Sequence, residues 1–248
     1  MTLPRLYSDL AKLWPFVTSV DDYKEQSKYW ISLIDKNINK ERPKILDLGV
    51  GGGKHQSHYS HLYDITAIDL SEEMLFHSRK LNPTTKHLLG DMRTIRLEER
   101  FDVVLMHDAI SYMTNKKDLY KAIHTAYIHL KDGGILIISP DFYKETFKDN
   151  SIFHSTQSIN GSKVTFVEYI HDVNPDDTIV ETIMMFLIHN KENKVVIEED
   201  RHELGLFKKS TWFELLFQVG FEIEEVPYVK NGDGEQLPLL LGKKHLPK

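Results

Sequence analysis

"DLGVGGGKHQS", residues 47–57, puts four glycines in five positions directly after the apolar run "KILDLG" at 44–49. A turn with this much bare backbone makes room for a ligand to approach the main chain. The flanking chain says what kind of turn it is. "DITAIDL" at 64–70, "TKHLLGD" at 85–91, "FDVVLMHD" at 101–108 and "GILIISP" at 134–140 are short apolar runs with the character of buried strands. Between them lie helical patterns: one from Ser71, an N-cap with Glu72 and Glu73 in the first turn, to about Leu81, and one over 116–130 that stops at "DGG". A further helix is expected over 20–40, with Tyr23, Trp30, Ile31 and Ile34 as its apolar stripe. Strands alternating with helices imply βαβ units and a parallel sheet covered on both faces.

Three ligand types compete for the glycines, beside the plain reading of a tight strand-to-helix turn with spare glycines. A phosphate-binding P-loop requires GxxxxGK followed by Ser or Thr. Counting back from Gly53-Lys54, the first glycine falls on Leu48, and the hydroxyl position holds His55, so the match fails twice. A dinucleotide turn requires GxGxxG. Gly49 and Gly51 fit, but the third position is Lys54. The third type is an adenosyl cofactor without phosphates, which needs close backbone approach but no pyrophosphate cradle. Its ribose hydroxyls need a carboxylate at the end of the second strand. Asp69 stands there, 22 residues after Asp47, near the ~20-residue spacing of such acids in nucleotide-binding βαβ folds. Its adenine amino group needs a polar partner after the third strand, where Asp91 stands.

Beyond residue 150 the texture changes. "SKVTFVEYIHDV", "TIVETIMMFLIHN" and "KVVIEEDRHEL", within 163–203, are β-rich and broken at "NPDD" and "NKEN". They read as an antiparallel meander inserted in the α/β domain. A helix at about 208–219 and strands in "GFEIEEVPY" and "LPLLLGKK" complete the chain.

Composition narrows the function. The 248 residues carry 31 basic and 37 acidic side chains, a net charge of −6, with no basic stripe, so no nucleic-acid partner is expected. There is no cysteine, which removes disulfides and thiolate chemistry and fits a reducing, cytoplasmic setting. No run reaches the ~18 apolar residues of a membrane span, and the opening "MTLPRLYSDLAKLW" lacks the apolar core of a secretory signal. Thirteen histidines occur without an HxH or HExxH pattern. No metal is expected, and His55, His58 and His61 are expected on a solvated helix face.

Taken in order, "ILDLGVGGG", "AIDLSEEML", "LLGDMRTI", "FDVVLMHDAISYM" and "GILIISP" resemble the successive motifs of class I S-adenosylmethionine-dependent methyltransferases. "LYSDLAKLW" followed by "DDYKEQSKYW" resembles the opening segment of their small-molecule branch, which includes amino-sugar N-methyltransferases. The resemblance runs motif by motif over roughly residues 5–142, and by architecture alone over 163–243. It implies an α/β, doubly wound, Rossmann-like sheet of seven strands, mostly parallel with the last antiparallel. Residues 1–150 and 204–248 would form the main domain, and 151–203 an inserted β-rich cap.

The resemblance also assigns roles. Gly49, Gly51 and Gly53 would line the methionine part of S-adenosylmethionine, with Asp47 behind them. Asp69, with Leu70 beside it, would hold the ribose; Asp91 and Met92 would flank adenine. Met106 and His107 would border the sulfonium, and Tyr7 and Tyr23 would close over the cofactor, Tyr7 toward its carboxylate. The loop departs from the common Cys-Gly-Thr-Gly form, reading Gly49-Val50-Gly51-Gly52-Gly53.

The sulfonium methyl is already activated, so alignment of donor and acceptor matters more than covalent help. An amine acceptor need only arrive deprotonated, whereas a hydroxyl needs a base, for which the fourth-strand edge offers His107, Asp108 and Tyr112, with His107 the catalytic candidate. The expectation is N-methylation of a small molecule, gripped by Trp14, Tyr112, Phe142 and Tyr143. O-methylation, a non-catalytic cofactor-binding protein and an NAD(P)-type oxidoreductase are the alternatives. Exposed edges of the insertion would serve a homodimer.

Overall fold

The structure, a computed structural model, describes residues 3–189, 194–226, 228–229, 236–237 and 239–245. The main sheet contains β1 (Lys44–Leu48), β2 (Asp64–Asp69), β3 (Lys86–Leu89), β4 (Phe101–Met106), β5 (Leu130–Ile138), β10 (Phe221–Glu225) and β13 (Leu240–Lys244). Their order is β10-β13-β5-β4-β1-β2-β3. β1 pairs in parallel with β2 on one side and β4 on the other, while β13 runs antiparallel to both β5 and β10. The expected seven-stranded, mostly parallel sheet with an antiparallel last strand is therefore present. Its order reverses between β1 and β4, which opens a crevice beyond the carboxyl ends of those two strands.

Both faces are packed, as near-continuous apolar strands require. Leu46, Leu48, Val104, Met106, Leu136 and Ile138 point into one apolar layer with α3 (Lys116–His129) and α4 (Lys209–Val219). Ile45, Ile65, Val103, Leu105 and Ile137 point into the other, with α1 (Lys24–Asn37). Ser71 caps α2 (Glu72–Leu81) as expected, its Oγ accepting from the Met74 N–H at 3.1 Å. α4 ends at Gly220 with φ +115, the left-handed conformation glycine adopts most easily.

Three expectations need correction. No α-helix follows the glycines; residues 49–63 form turns and one 3-10 helix, Gln56–His58. The helix expected from residue 20 begins at Lys24, preceded by a 3-10 turn over Asp21–Tyr23. The meander also has an additional first strand. It comprises β6 (Ser151–Ile159), β7 (Ser162–His171), β8 (Ile179–His189) and β9 (Val195–Gly205), an antiparallel four-stranded sheet. β6, "SIFHSTQSI", is too polar to show an alternating apolar face. The "NPDD" turn lies between β7 and β8, whereas "NKEN" lies outside the described residues. A short pair, β11 (Tyr228–Val229) with β12 (Gln236–Leu237), precedes β13.

The N-terminal segment is a strap of 3-10 turns between the meander and the main sheet. Leu6, Leu10, Leu13, Phe16 and Val17 bury their side chains against Val164, Phe166, Met184 and Phe186 of β7 and β8. Irregular backbone leaves carbonyls unpaired, and the main domain supplies donors for them. Ser71 Oγ donates to Tyr7 O at 2.7 Å, His77 Nε2 to Ala11 O at 2.9 Å and His58 Nε2 to Val20 O at 2.8 Å. Lys54 Nζ donates to Trp14 O at 2.9 Å and Thr18 O at 2.5 Å.

Candidate active site

The glycine turn leaves β1 at the crevice. Gly49 has φ +88, and a side chain there would meet Met92 Cε at 2.8 Å and collide with Ala109. A β-carbon on Gly52 would overlap the Trp14 indole, whose Nε1 is buried and unpartnered. The space above Gly51 is more open, with only the Trp14 ring at 3.8 Å. Asp69 closes the turn from the next strand. Its Oδ2 accepts the Gly51 N–H at 2.7 Å and its Oδ1 the Ser71 N–H at 2.9 Å. Burial pushes this carboxyl above its usual range, against the opposing pull of those two N–H groups. Each oxygen retains a lone pair for a further donor.

Beneath the turn lies a buried polar cluster. Asp47 is fully buried; its Oδ2 accepts from Tyr59 at 3.2 Å and its Oδ1 lies 3.4 Å from His107 Nε2. His107 stacks on His55 with centroids 5.1 Å apart, and Trp30 packs edge-on against both rings. Burial alone would depress His107, but the adjacent Asp47 carboxylate outweighs it and raises the ring to about 9. Burial and the neighbouring His107 charge hold His55 well below its normal value. One expectation is corrected: His55 is not on a solvated face, because a compact turn replaces the helix. His107, held toward its cationic form beside Asp47, is poorly set to serve a hydroxyl acceptor as a base.

A second polar chain crosses the crevice. Tyr7 and Tyr112 meet hydroxyl to hydroxyl at 2.7 Å. Tyr112 Oη lies 2.5 Å from His202 Nδ1, and His202 Nε2 lies 2.7 Å from Asp200 Oδ2. That same Asp200 oxygen accepts the Leu6 N–H at 2.6 Å. Burial raises the Tyr7 and Tyr112 phenols above their ordinary value. Carboxylates surround them. Asp69, Asp108 and Asp141 act on Tyr7, and Asp141 and Glu168 act on Tyr112. Burial and the Asp108 charge push Asp141 well up and Glu168 to about 7.

The remaining expected residues divide. Tyr23 is half-buried, bonded to Thr18 Oγ1 at 3.3 Å, with its ring edge-on to His55. Met92 abuts Gly49. Leu70 is exposed, and Met106 is fully buried in the apolar layer. Asp91 is engaged by Arg93, whose Nε and Nη2 reach it at 3.0 and 2.6 Å. Gly53 packs against Ser78 and Asn82, behind the turn. Phe142 packs on Phe147 and shares an apolar cluster with Tyr112 beside β8 and β9, and Tyr143 is buried in the core with Lys209 over its ring. Lys54, His55, Asp141, Glu168, Asp200 and His202 were not anticipated. A signal existed for the last two: Asp200 and His202 are two apart on one strand, hence on one face. Among the described residues no group of His, Asp and Glu is arranged to hold a metal.

The methyltransferase-domain family matches residues 46–138, which span β1 through β5. With the observed fold and the relatives that follow, this supports a class I S-adenosylmethionine-dependent methyltransferase. The chain is similar to the branch that modifies amino sugars. The dTDP-3-amino-3,4,6-trideoxy-alpha-D-glucopyranose N,N-dimethyltransferase of Streptomyces venezuelae is 27% identical over 215 residues, 86% of this chain and 89% of that one. The sugar N-methyltransferase KedS8 from a Streptoalloteichus species superposes with TM-score 0.83 at 21% identity, covering 99% of this chain and 95% of its own. SAM-bound CalS10, an amino pentose methyltransferase from Micromonospora echinaspora, gives TM-score 0.77 at 18% identity over 98% of each chain. No helix among the described residues is long and apolar enough to cross a membrane.

Proposed function

We propose that the chain binds S-adenosylmethionine in the crevice above β1 and transfers its methyl group to the amine of a small molecule, with an amino sugar as the acceptor class. One observation carries the reading: Asp69 is fixed by the glycine turn yet keeps lone pairs for a vicinal diol. The cofactor fits this chain's own residues. Above Gly51 lies space that only the Trp14 ring approaches, at 3.8 Å, and Asp47 Oδ1 is a buried acceptor without a well-directed partner. Gly49 and Gly51 would shape its seat with Gly53 behind them, Asp69 and Leu70 would take the ribose, and Asp91 and Met92 would flank the adenine. Asp47 and His107 would lie on the sulfonium side, with Met106 in the apolar layer beneath them. When bound, the cofactor supplies an activated methyl group.

The chain's residues do the positioning. Tyr7, Trp14 and Tyr23 hang from the strap over the glycine turn and exclude water once the strap is seated. Tyr112 lies across from Tyr7 on the acceptor side. The carboxylates Asp108, Asp141 and Glu168 suit a cationic acceptor better than an acidic one. The same reading treats 151–203 as an inserted cap whose free edges serve a homodimer, and places the enzyme in the cytoplasm with no nucleic-acid partner.

Calorimetry tests the central point. Asp69→Asn is expected to weaken binding of S-adenosylmethionine and its demethylated product about 10- to 100-fold, the value of hydrogen bonds to a charged group. Unchanged affinity in a folded Asp69→Asn protein would remove the proposal.

A further inference from the structure

With His202 neutral, the Tyr7–Tyr112–His202–Asp200 chain has one direction. Asp200 Oδ2 is 2.7 Å from His202 Nε2, so Nε2 carries a hydrogen and donates it. In neutral imidazole the other nitrogen, Nδ1, is then an acceptor. It lies 2.5 Å from Tyr112 Oη, so Tyr112 donates to it. Tyr112 has no second hydrogen, so at 2.7 Å it accepts from Tyr7. Tyr7 has thereby committed its only proton inward, and its oxygen can only accept from a ligand. This changes the expected role of Tyr7. A phenol poised to accept suits an N–H group and opposes a carboxylate.

We propose that this chain is a proton exit for the acceptor amine, with His202 as the terminal proton acceptor. The inference rests on the amine reading of the preceding subsection. An acceptor ammonium donates an N–H to Tyr7 Oη. Tyr7 passes its own proton to Tyr112, and Tyr112 passes its own to His202 Nδ1. The products are a neutral amine with a free lone pair, two intact phenols and a His202 imidazolium paired with Asp200. One N–H bond breaks at the ammonium and one forms at His202, so protons and charge balance. Tyr7 touches the acceptor; Tyr112, His202 and Asp200 act through it.

The surroundings suit the transfer. His202 is buried, with 1% of its surface exposed, so no solvent competes for Nδ1. Its imidazolium would be formed beside Asp200, which is 5% exposed and already oriented by the Leu6 N–H. The charged groups facing the chain are Asp69 from β2, Asp108 and Asp141 beyond β4 and β5, and Glu168 from β7. All four are acids, which draw an ammonium to the Tyr7 end. The chain also joins the strap, the loop after β4 and the meander, so it is complete only when all three are assembled.

Two measurements test the proposal. In the wild-type protein without ligand, nitrogen-15 NMR of labelled histidine should show neutral His202 as the Nε2–H tautomer. The Nδ1–H tautomer would overturn the assignment without any need for turnover. The second measurement uses the dTDP-3-amino-3,4,6-trideoxyglucose acceptor, with Tyr112→Phe and His202→Gln. Each variant is expected to lose activity about 10²-fold at pH 7, the lower range for general-base catalysis, and to regain it at alkaline pH where the amine arrives deprotonated. Affinity for S-adenosylhomocysteine should fall by no more than about fivefold, the value of one hydrogen bond to the strap. A wild-type enzyme that methylates this amine while Tyr112→Phe keeps the same pH profile sinks the relay alone. A wild-type enzyme that methylates no amine sinks the acceptor reading, and the relay with it.

Discussion

Opposite walls of the crevice are held by different forces. On the sheet side, the strand ends that carry Asp47, Asp69 and His107 grow out of β1, β2 and β4, whose side chains are almost all buried in two apolar layers. On the other side, the strap has one apolar face on the meander and is tied to the main domain by side chains that donate to its carbonyls. The first arrangement fixes atoms through packing over a large area, and the second through a few hydrogen bonds, each worth about 1 kcal/mol net. Such a strap can leave and return, whereas the sheet cannot deform without loss of core. A crevice of this kind holds its recognition groups still while its cover stays removable.

The largest effect is expected where the rigid wall contains an unusual element, the Asp47–His107 pair. Asp47→Asn leaves a buried histidine without its counter-charge, at a cost of about 3–5 kcal/mol. The cost depends on pH. His107 is raised from 6.5 to about 9 in the folded protein, so its contribution is complete below pH 6.5 and lost as the pH climbs through 9. The gap between wild type and Asp47→Asn in urea midpoints should therefore be widest near pH 6 and narrow toward pH 9. A pH-independent gap would show that His107 is neutral and that the sheet side is held by packing alone.

Next comes the strap's own core. Phe186 is completely buried between β8 and the strap, with the Phe166 ring 5.2 Å away. Phe186→Ala should cost about 3 kcal/mol, the lower end for a buried aromatic. Hydrogen exchange should place that loss in β7, β8 and the strap, with β1 and β4 unaffected. Equal loss of protection in β1 would mean that both walls unfold as one unit, and the contrast drawn above would fail. A smaller change probes the contact between the walls. Gly52→Ala drives a methyl group into the Trp14 indole, and overpacking costs about 1–3 kcal/mol. The strap is the part that can yield, so Trp14 fluorescence should shift and S-adenosylhomocysteine should bind more weakly. An unshifted spectrum would show that the turn gives way instead.

How much of this was legible in the sequence follows the same division. The sheet side was nearly all readable, because buried parallel strands are apolar runs and Ser71, Glu72 and Glu73 form a local cap. The glycine turn was readable as a tight turn at the end of β1, and three of its four glycines have their place in packing: Gly49 on Ala109 and Met92, Gly52 on Trp14 and Gly53 on Ser78 and Asn82. What followed it was not. The His55, His58 and His61 spacing looks like a solvated helix, yet the chain turns early and buries His55 on His107. No local signal reports a ring that arrives from residue 107. β6 was missed because it is a polar edge strand with much of its surface exposed. The relay was missed because its members come from residues 7, 112, 200 and 202, which only the tertiary fold assembles. Pattern reads what neighbours in sequence must do; the strap and its contacts depend on neighbours in space.

Lys54 offers the finest test of the removable cover. Its ammonium sits at the end of the glycine turn, 6% exposed, and donates to Trp14 O, Thr18 O and, at 3.2 Å, Thr18 Oγ1. Three neutral acceptors do not repay the full cost of burying a charge, and burial lowers the group from 10.5 to about 8. With the strap open, the ammonium returns to water and to its ordinary value. Between pH 8 and 10.5 the open form therefore binds more protons than the closed form, so closure becomes more favourable as the pH rises. Binding that needs the closed strap should strengthen accordingly, by roughly twentyfold between pH 7.5 and 9.5. Lys54→Met loses the donors, at about 1 kcal/mol, and loses this slope as well. Calorimetry with S-adenosylhomocysteine at the two pH values, compared between wild type and Lys54→Met, cancels the titration of the ligand itself. Parallel lines for the two proteins would mean that Lys54 stays charged beneath the strap, and that its three acceptors hold the cover as firmly as the core holds the sheet.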